Sequence, residues 1–165
     1  MRIRDKIKKP QRPVVAYEIL PPREKDGTLN VYAETISSLL SQTHIDAINI
    51  PEVHDEMGRG ERPVSNQERG EPRKFGMLLQ DIVGIEAIIN RVVVHMPLKK
   101  QMEWIQETYS IYEIDNLIIV GGESSKQNYP GPTVNESLEK IAQNNRIREN
   151  NILCGGICIP SRKKE

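Results

Sequence analysis

The chain has 165 residues, which is enough for one domain with a buried core. Its 23 Lys and Arg residues balance its 23 Asp and Glu residues, so no net charge favours nucleic acid or an anionic membrane surface. Aromatic residues are scarce, which also argues against a platform for base stacking. We therefore expect no nucleic-acid or membrane partner. Residues 1–13 are predicted to be a basic lead-in to a single domain over residues 14–165.

The lack of a recognisable signal peptide and the spacing of the two cysteines both favour a reducing compartment. The basic first residues lack the apolar segment of a signal peptide, and no apolar run approaches the length of a membrane span. Cys154 and Cys158 lie in one predicted strand, which would place their Cα atoms roughly 13 Å apart. That separation is too large for a disulfide. We therefore expect a cytoplasmic protein in which both cysteines are reduced packing residues.

The segment 14–20 is β-branched and apolar and predicts the first strand, with one carboxylate, Glu18. Side chains alternate along a strand, so Glu18 shares a face with Val14, Ala16 and Leu20. Both faces are mostly apolar, as expected for a parallel strand covered on both sides. A carboxylate there is costly unless it is solvated, paired or used. Glu18 is therefore either a site residue or a solvated residue at the strand end.

Four further strands alternate with helices along the chain. Hydrophobic spacing predicts strands at 47–53, 90–96, 116–120 and 151–159, and helices at 29–42, 73–83, 98–112 and 134–143. Gly84 is predicted to stop the second helix, and Thr133 with Glu136 predicts a capping box at the last helix. The long charged segment 54–72 is predicted to be either functional or disordered.

This alternation of helices with strands that are apolar on both faces predicts a parallel α/β fold. Doubly wound sheets and (β/α)8 barrels both satisfy the pattern, but the first crossover lacks the glycine-rich turn of dinucleotide-binding folds. Polar residues instead lie at the ends of several predicted strands, namely Glu18, Asn49, His95 and Glu123. Barrel enzymes place their chemistry at that position. We predict a (β/α)8 TIM barrel of which the chain contains about the first five β/α units, an apparently truncated barrel.

One motif within this pattern resembles a known family. The segment Tyr17-Glu-Ile-Leu-Pro-Pro-Arg23 is similar to the Phe-Glu-x-x-Pro-Pro signature on the first barrel strand of methylenetetrahydrofolate reductases. Later features follow in the order found in that family: Val94-His95, Gly122-Glu123, Tyr129 and Ile159-Pro160. The similarity spans nearly the whole chain, and its most specific part is the first motif.

The resemblance implies a barrel that holds a tetrahydrofolate derivative over a flavin, FAD, with hydride transfer between the flavin and the one-carbon unit. It places the general acid on Glu18, and the desolvation that a proton-donating carboxyl needs would come from an apolar barrel wall. Glu123 would bind the amino-pyrimidine edge of the pterin, with Asn49 among the substrate-binding residues. His95 and Tyr129 would line the flavin. Without the family, His95 is a core or loop histidine and Tyr129 a turn residue.

The chain also departs from the family pattern. Where the reductases carry Arg-Gly-Asp after the fourth strand, this chain has Gly121-Gly122-Glu123. Three hypotheses follow: a reductase of one-carbon metabolism, a folate-binding barrel without flavin that serves methyl transfer, and an unrelated barrel enzyme with a chance motif match. A homo-oligomer or a methyl-transfer partner protein is compatible with the first two.

Overall fold

The computed structural model describes residues 2–52, 69–122 and 128–157. The predicted site residue Glu123, the residue Cys158 and most of the charged segment 54–72 lie outside the described residues. The helices are α1 (Ile3–Lys8), α2 (Leu29–Leu40), α3 (Pro72–Val83), α4 (Leu98–Ser110) and α5 (Val134–Arg148). The strands are β1 (Ala16–Glu18), β2 (Ala47–Pro51), β3 (Glu86–Val92), β4 (Asn116–Val120) and β5 (Leu153–Gly156).

The five strands form one parallel sheet in the order β1-β2-β3-β4-β5. Each strand pairs with the one before it, so the chain advances across the sheet in a single direction. Because crossover connections between parallel strands are right-handed, such an order places all connecting helices on the same side of the sheet. The predicted parallel α/β fold is therefore confirmed. The predicted barrel is not closed: among the described residues the sheet is open, with β1 and β5 as its free edges.

The two faces of the sheet differ in cover. One face, here called the helix face, packs against α2–α5 in a single apolar core. Its almost fully buried strand residues are Ile48, Ile50, Ala87, Ile89, Leu117 and Ile119. Gly76 of α3 allows a close approach there, since a Cβ on it would lie 3.2 Å from side-chain atoms of both Ile50 and Ala87. The opposite face, here called the open face, includes Glu18, Asn49 and Asn90 and is covered by no described helix.

Several predicted bounds agree with the structure because local chemistry fixes them. The strand β4 and the end of α3 lie where they were predicted, and Gly84 ends α3 in the left-handed conformation with φ 70°. The predicted capping box is present: the Thr133 side chain accepts from the Glu136 backbone, and the Glu136 side chain accepts from the Thr133 backbone. None of the described helices has the length and apolar character needed to span a membrane.

Two strand predictions are wrong. The first strand is not covered on both faces: β1 spans only three residues at a free edge, and Val15 and Tyr17 are 44% and 47% exposed. The third strand begins at Glu86, four residues before the predicted start, and ends at Val92. The predicted final residues, Val93 to Met96, form the turn that follows, where Val93 and Val94 are buried. A buried turn and a buried strand have the same apolar composition, so periodicity did not separate them.

The basic lead-in also contains an unpredicted helix, α1, which brings positive side chains to the amino ends of the strands. Arg4 donates to the Asp115 carboxylate at 3.1 Å, and Arg2 contacts the same carboxylate. Burial raises the pKa of Asp115 even though the two arginines lower it. Lys6 and Arg12 each lie 2.8 Å from Asp46 Oδ1. The lead-in therefore neutralises two acidic side chains, Asp46 and Asp115, at the amino ends of the strands.

The Asp46 ion pairs predict a specific pH dependence of stability. The hydrogen bond from Lys6, followed by those from the Val15 backbone and Arg12, lowers the pKa of Asp46. Because the folded pKa lies below the unfolded one, these bonds stabilise the fold above about pH 4 and are lost as the pH falls towards the folded value. We expect Asp46→Asn to be less stable than wild type at neutral pH and to lose less stability on acidification. Urea unfolding across the acid range measures this.

Asp26→Asn is the matched control, because Asp26 is exposed and paired with Arg23 only three residues away. Its unfolding curve should stay close to wild type, since exposed pairs contribute little. An Asp46→Asn protein whose stability falls with acid as steeply as wild type would contradict the assignment.

Candidate functional site

The polar residues predicted at the ends of the first two strands meet on the open face. Glu18 and Asn49 occupy paired positions of β1 and β2, and Asn49 Nδ2 donates to Glu18 Oε2 at 2.9 Å. Asn49 Oδ1 is buried and has no hydrogen-bond partner among the described residues. The pair therefore places an exposed carboxylate beside a buried acceptor oxygen that has no described partner. Such an array suits a planar ligand with neighbouring N–H donors.

The desolvation expected at Glu18 is not present in the described part of the chain. Glu18 is exposed because β1 lies at the free edge of the sheet. An apolar wall opposite the open face would be required to remove water from this carboxylate. Among the described residues, Asn49 donates the one hydrogen bond that the Glu18 carboxylate accepts, and this bond fixes the orientation of the carboxylate.

The two residues predicted to line a flavin are also brought together. His95 lies in the turn after β3, and Tyr129 lies in the connection between β4 and α5. Their ring centroids are 5.6 Å apart, with an interplanar angle of 75°. Tyr129 also packs directly on Gly122, where an added Cβ would lie 2.6 Å from its hydroxyl oxygen. The close approach that Gly122 permits is therefore used by the chain's own Tyr129.

Gly131 holds the connection that carries Tyr129 against the turn that carries His95. Its backbone N–H donates to the Val94 carbonyl at 2.8 Å. A Cβ on Gly131 would lie 2.5 Å from the Met96 carbonyl oxygen, and the Val93 carbonyl oxygen and Val94 carbonyl carbon would both be closer than 3.0 Å. Because the obstruction is backbone, a side chain cannot be accommodated by a change of rotamer.

Gly131→Ala is expected to destabilise the fold by about 1–3 kcal/mol, the usual cost of overpacking. Gly155→Ala in β5 is the matched control, since a Cβ there would meet no atom within 4 Å. Urea unfolding monitored through Trp104 fluorescence measures both variants. Equal stability of the two would show that the predicted backbone obstruction is absent.

A charged network at the carboxyl ends of β2 and β3 was missed by sequence reasoning. Arg91 lies on the helix face with 2% exposure, and its Nε donates to Gln101 Oε1 at 2.9 Å. Its Nη1 donates to the Glu52 carboxylate, which also accepts from the Val92 backbone at 3.0 Å. Burial is the main cause of a lowered pKa of Arg91, and Glu52 opposes it. The network fixes the point at which β2 ends beside β3.

Aromatic side chains extend this network. The Arg91 guanidinium lies 4.2 Å from the centre of the Trp104 ring, and the Arg73 guanidinium lies 4.5 Å from it. Arg73 is also 4.6 Å from the Tyr112 ring and pairs with Glu71 at 2.7 Å. The sequence offers a signal only in retrospect: Arg91 follows buried Ala87 and Ile89 at two-residue spacing along β3, so it lies on the same buried face.

The Pro-Pro part of the motif after Glu18 has a structural role. Pro21 and Pro22 are buried, and their carbonyl groups accept hydrogen bonds from the segment just before α3. Arg69 Nη1 donates to the Pro21 carbonyl at 2.8 Å, and the Gly70 N–H donates to the Pro22 carbonyl at 2.9 Å. The motif therefore anchors the far end of the charged segment to the end of β1.

Three cavities lie away from the Glu18–Asn49 pair. One of about 420 Å³ is bordered by Lys6, Lys9 and Arg12, and one of about 370 Å³ by Arg2, Glu86 and Asp115, both at the amino ends of the strands. A third, about 630 Å³, is a groove between α4 and α5. Ligands of parallel α/β sheets bind at the opposite, carboxyl ends of the strands. Within the described residues no cluster of three or more His, Cys, Asp or Glu side chains could hold a metal ion.

Comparison with known proteins finds similarity among solved structures. No family model matches the chain, and no curated protein matches it. Among solved structures, it is similar to an uncharacterized protein from Clostridium thermocellum that binds two copies of 5-methyl-5,6,7,8-tetrahydrofolic acid, with a TM-score of 0.63 and 20% sequence identity. The match covers 96% of this chain and 48% of that chain, so this chain spans about half the length of its neighbour. At this identity the similarity shows a shared fold.

Proposed function

We propose that the chain is the first part of a (β/α)8 barrel that binds a tetrahydrofolate derivative at the carboxyl ends of its strands. The main support is the hydrogen-bonded pair of Glu18 and Asn49 on the open face of an all-parallel sheet. Glu18 lies in the motif that resembles the first strand of methylenetetrahydrofolate reductases. The ligand named for the solved neighbour belongs to the same chemical class.

The strand order supports the barrel. A doubly wound sheet reverses its strand order at a switch point, whereas here each new strand is added on the same side of the last one. In a closed barrel the open face becomes the interior. Eight strands require three more than the five that the described residues form, and a second five-stranded copy would not supply that number. We therefore propose that three further β/α units complete the barrel.

Apolar side chains at both free ends of the sheet support the same proposal. They lie on β1, on α2 and α5, and on the residues just before β1 and just after β5: Val15, Tyr17, Val31, Leu39, Ile147 and Ile157, each between 44% and 70% exposed. Burial of apolar surface stabilises by about 25 cal/mol per Å². Neighbouring β/α units on the two sides would cover these residues.

The chemistry of the site suits the pterin part of a folate. The amino-pyrimidine edge of a pterin presents adjacent N–H donors in one plane, and the exposed Glu18 carboxylate can accept two parallel hydrogen bonds. Asn49 orients that carboxylate through its Nδ2 and leaves its own Oδ1 for a further donor. Glu123 stays a proposed ligand of the pterin.

The described residues do not support the flavin that the family resemblance implies. His95 and Tyr129 pack against each other, and Tyr129 covers Gly122, the glycine at which a ligand could otherwise approach the backbone closely. Hydride transfer depends on that flavin. We therefore propose folate binding and derive no reductase step.

Isothermal titration of the full chain with 5-methyltetrahydrofolate tests the proposal. We expect binding with a dissociation constant of about micromolar or lower. A preparation of the same protein should lack the visible absorbance of flavin. 4-Aminobenzoylglutamate, which lacks the pterin, is the control ligand and should bind far more weakly. Absence of binding by 5-methyltetrahydrofolate would overturn the proposal, and near-stoichiometric bound flavin would overturn its flavin-free form.

A further inference from the structure

We propose that Asn90 is a further ligand-binding residue of this site, whose Oδ1 accepts an N–H of the bound heterocycle. The inference rests on the folate binding proposed above and extends it to a third strand. Asn90 lies on β3, where it pairs with Pro51 of β2 and Ile118 of β4. Register partners in a parallel sheet share a face, and Pro51 shares its face with Asn49. Asn90 is therefore on the open face.

The register also gives the spacing of the polar residues. Asn49 pairs with Ile88, so Asn90 lies two residues nearer to the carboxyl edge than the level of Glu18 and Asn49. One strand spacing across and two residues along correspond to roughly 8 Å between the Cα atoms of Asn49 and Asn90. Their carboxamides can therefore contact one planar heterocycle that lies across β1–β3.

The hydrogen bonding at Asn90 indicates that its partner comes from outside the described chain. Its Oδ1 is buried and has no partner among the residues described, as is also true of Asn49 Oδ1. A buried acceptor without a partner costs about 1–3 kcal/mol. The nearest residues on the same face are apolar: Ile88, Val92, Pro51 and Ile118. An apolar surface with a few placed polar groups is typical of a small-molecule site.

The type of acceptor restricts the ligand group. A carboxamide oxygen is neutral, so it suits an uncharged ring N–H or amine and offers no attraction for a carboxylate. Asn90 is therefore assigned to the pterin ring and not to the glutamate tail. Asn116 also has a buried Oδ1 without a described partner, but it lies at the amino end of β4, and its Nδ2 donates to the Ala87 carbonyl.

Titrations of the full chain with 5-methyltetrahydrofolate and with 6-methyltetrahydropterin, which lacks the tail, test the assignment. Asn90→Leu should weaken both ligands by the same factor, about 10-fold, because one hydrogen bond is lost. Asn90→Asp keeps an acceptor and should bind much more like wild type than Asn90→Leu does. Asn116→Ala is the matched control and should bind both ligands as wild type does. Asn90→Leu should unfold at no lower urea concentration than wild type, because it loses no described protein hydrogen bond.

The outcomes separate this inference from the proposed function. Wild-type affinity in Asn90→Leu, or in Asn90→Ala if the leucine variant does not fold, overturns the role of Asn90 while folate binding stands. Weakened binding of 5-methyltetrahydrofolate with unchanged binding of the pterin also overturns it. A wild-type chain that binds neither ligand overturns the proposed function together with this inference.

Discussion

Replacement of Glu18 by alanine should weaken the binding of 5-methyltetrahydrofolate by about 10- to 100-fold, because the ligand loses hydrogen bonds to a charged acceptor. Asn49→Ala should weaken binding less, since it removes the residue that orients the Glu18 carboxylate. The double variant should lose less binding free energy than the sum of the losses in the two single variants, because both substitutions act on one hydrogen-bonded pair. Isothermal titration of the two single variants and the double variant measures this coupling.

Glu86→Ala is the matched control for Glu18→Ala. Glu86 is a carboxylate on the same face of the sheet, but it lies at the amino end of β3 and pairs with Arg2. It should bind the folate as wild type does. Equal affinities of Glu18→Ala and wild type would exclude Glu18 from the site.

Removal of the Glu52 carboxylate should cause a large loss of stability. Glu52→Ala leaves the Arg91 guanidinium buried without its carboxylate, and breaking a buried pair in this way costs about 3–5 kcal/mol. The hydrogen bond from the Val92 backbone is lost as well. Urea unfolding compared with wild type measures the difference.

Two variants define what the Glu52 result means. Glu52→Gln keeps an acceptor for Arg91 and Val92 and should be less damaging than Glu52→Ala. Glu107→Ala removes the 53%-exposed partner of Arg73 and should cost at most about 1 kcal/mol. If Glu52→Ala unfolded at the same urea concentration as Glu107→Ala, the Arg91–Glu52 pair would not contribute to stability as described.

Features determined by local chemistry could be predicted from the sequence. The capping box of Thr133 and Glu136 and the left-handed Gly84 depend on residues only a few positions apart, and both are present. The alternation of apolar strands with helices was sufficient to predict the parallel sheet. This prediction depends on the pattern of successive segments and does not require the contacts of individual side chains to be known.

Features determined by distant partners could not be predicted. The exposure of β1 depends on what lies beyond the free edge of the sheet, which hydrophobic periodicity does not report. The burial of Arg91 depends on Glu52, Gln101 and Trp104, which lie on other elements of the chain. In the sequence, Arg91 is only a charged residue beside an apolar run.

The candidate site contains residues that could be predicted from the sequence and one that could not. Glu18 and Asn49 were predicted at the ends of separate strands, and the parallel register brings them into hydrogen-bond contact. Asn90 was missed because the third strand was predicted to begin there, which placed it at the amino end of the sheet. The observed strand begins at Glu86, and this moves Asn90 towards the carboxyl end and onto the open face.

We propose that a folate binds at the carboxyl ends of the strands on the open face. Titration of the ¹⁵N-labelled full chain with 5-methyltetrahydrofolate, followed by backbone and Asn side-chain amide resonances, tests it most directly. We expect saturable shifts at Glu18, Asn49 and Asn90, with the amides around Asp46 and Asp115 unchanged. Shifts confined to the amino-end cavity beside Lys6 and Arg12, or no saturable shifts, would exclude the open face as the folate site.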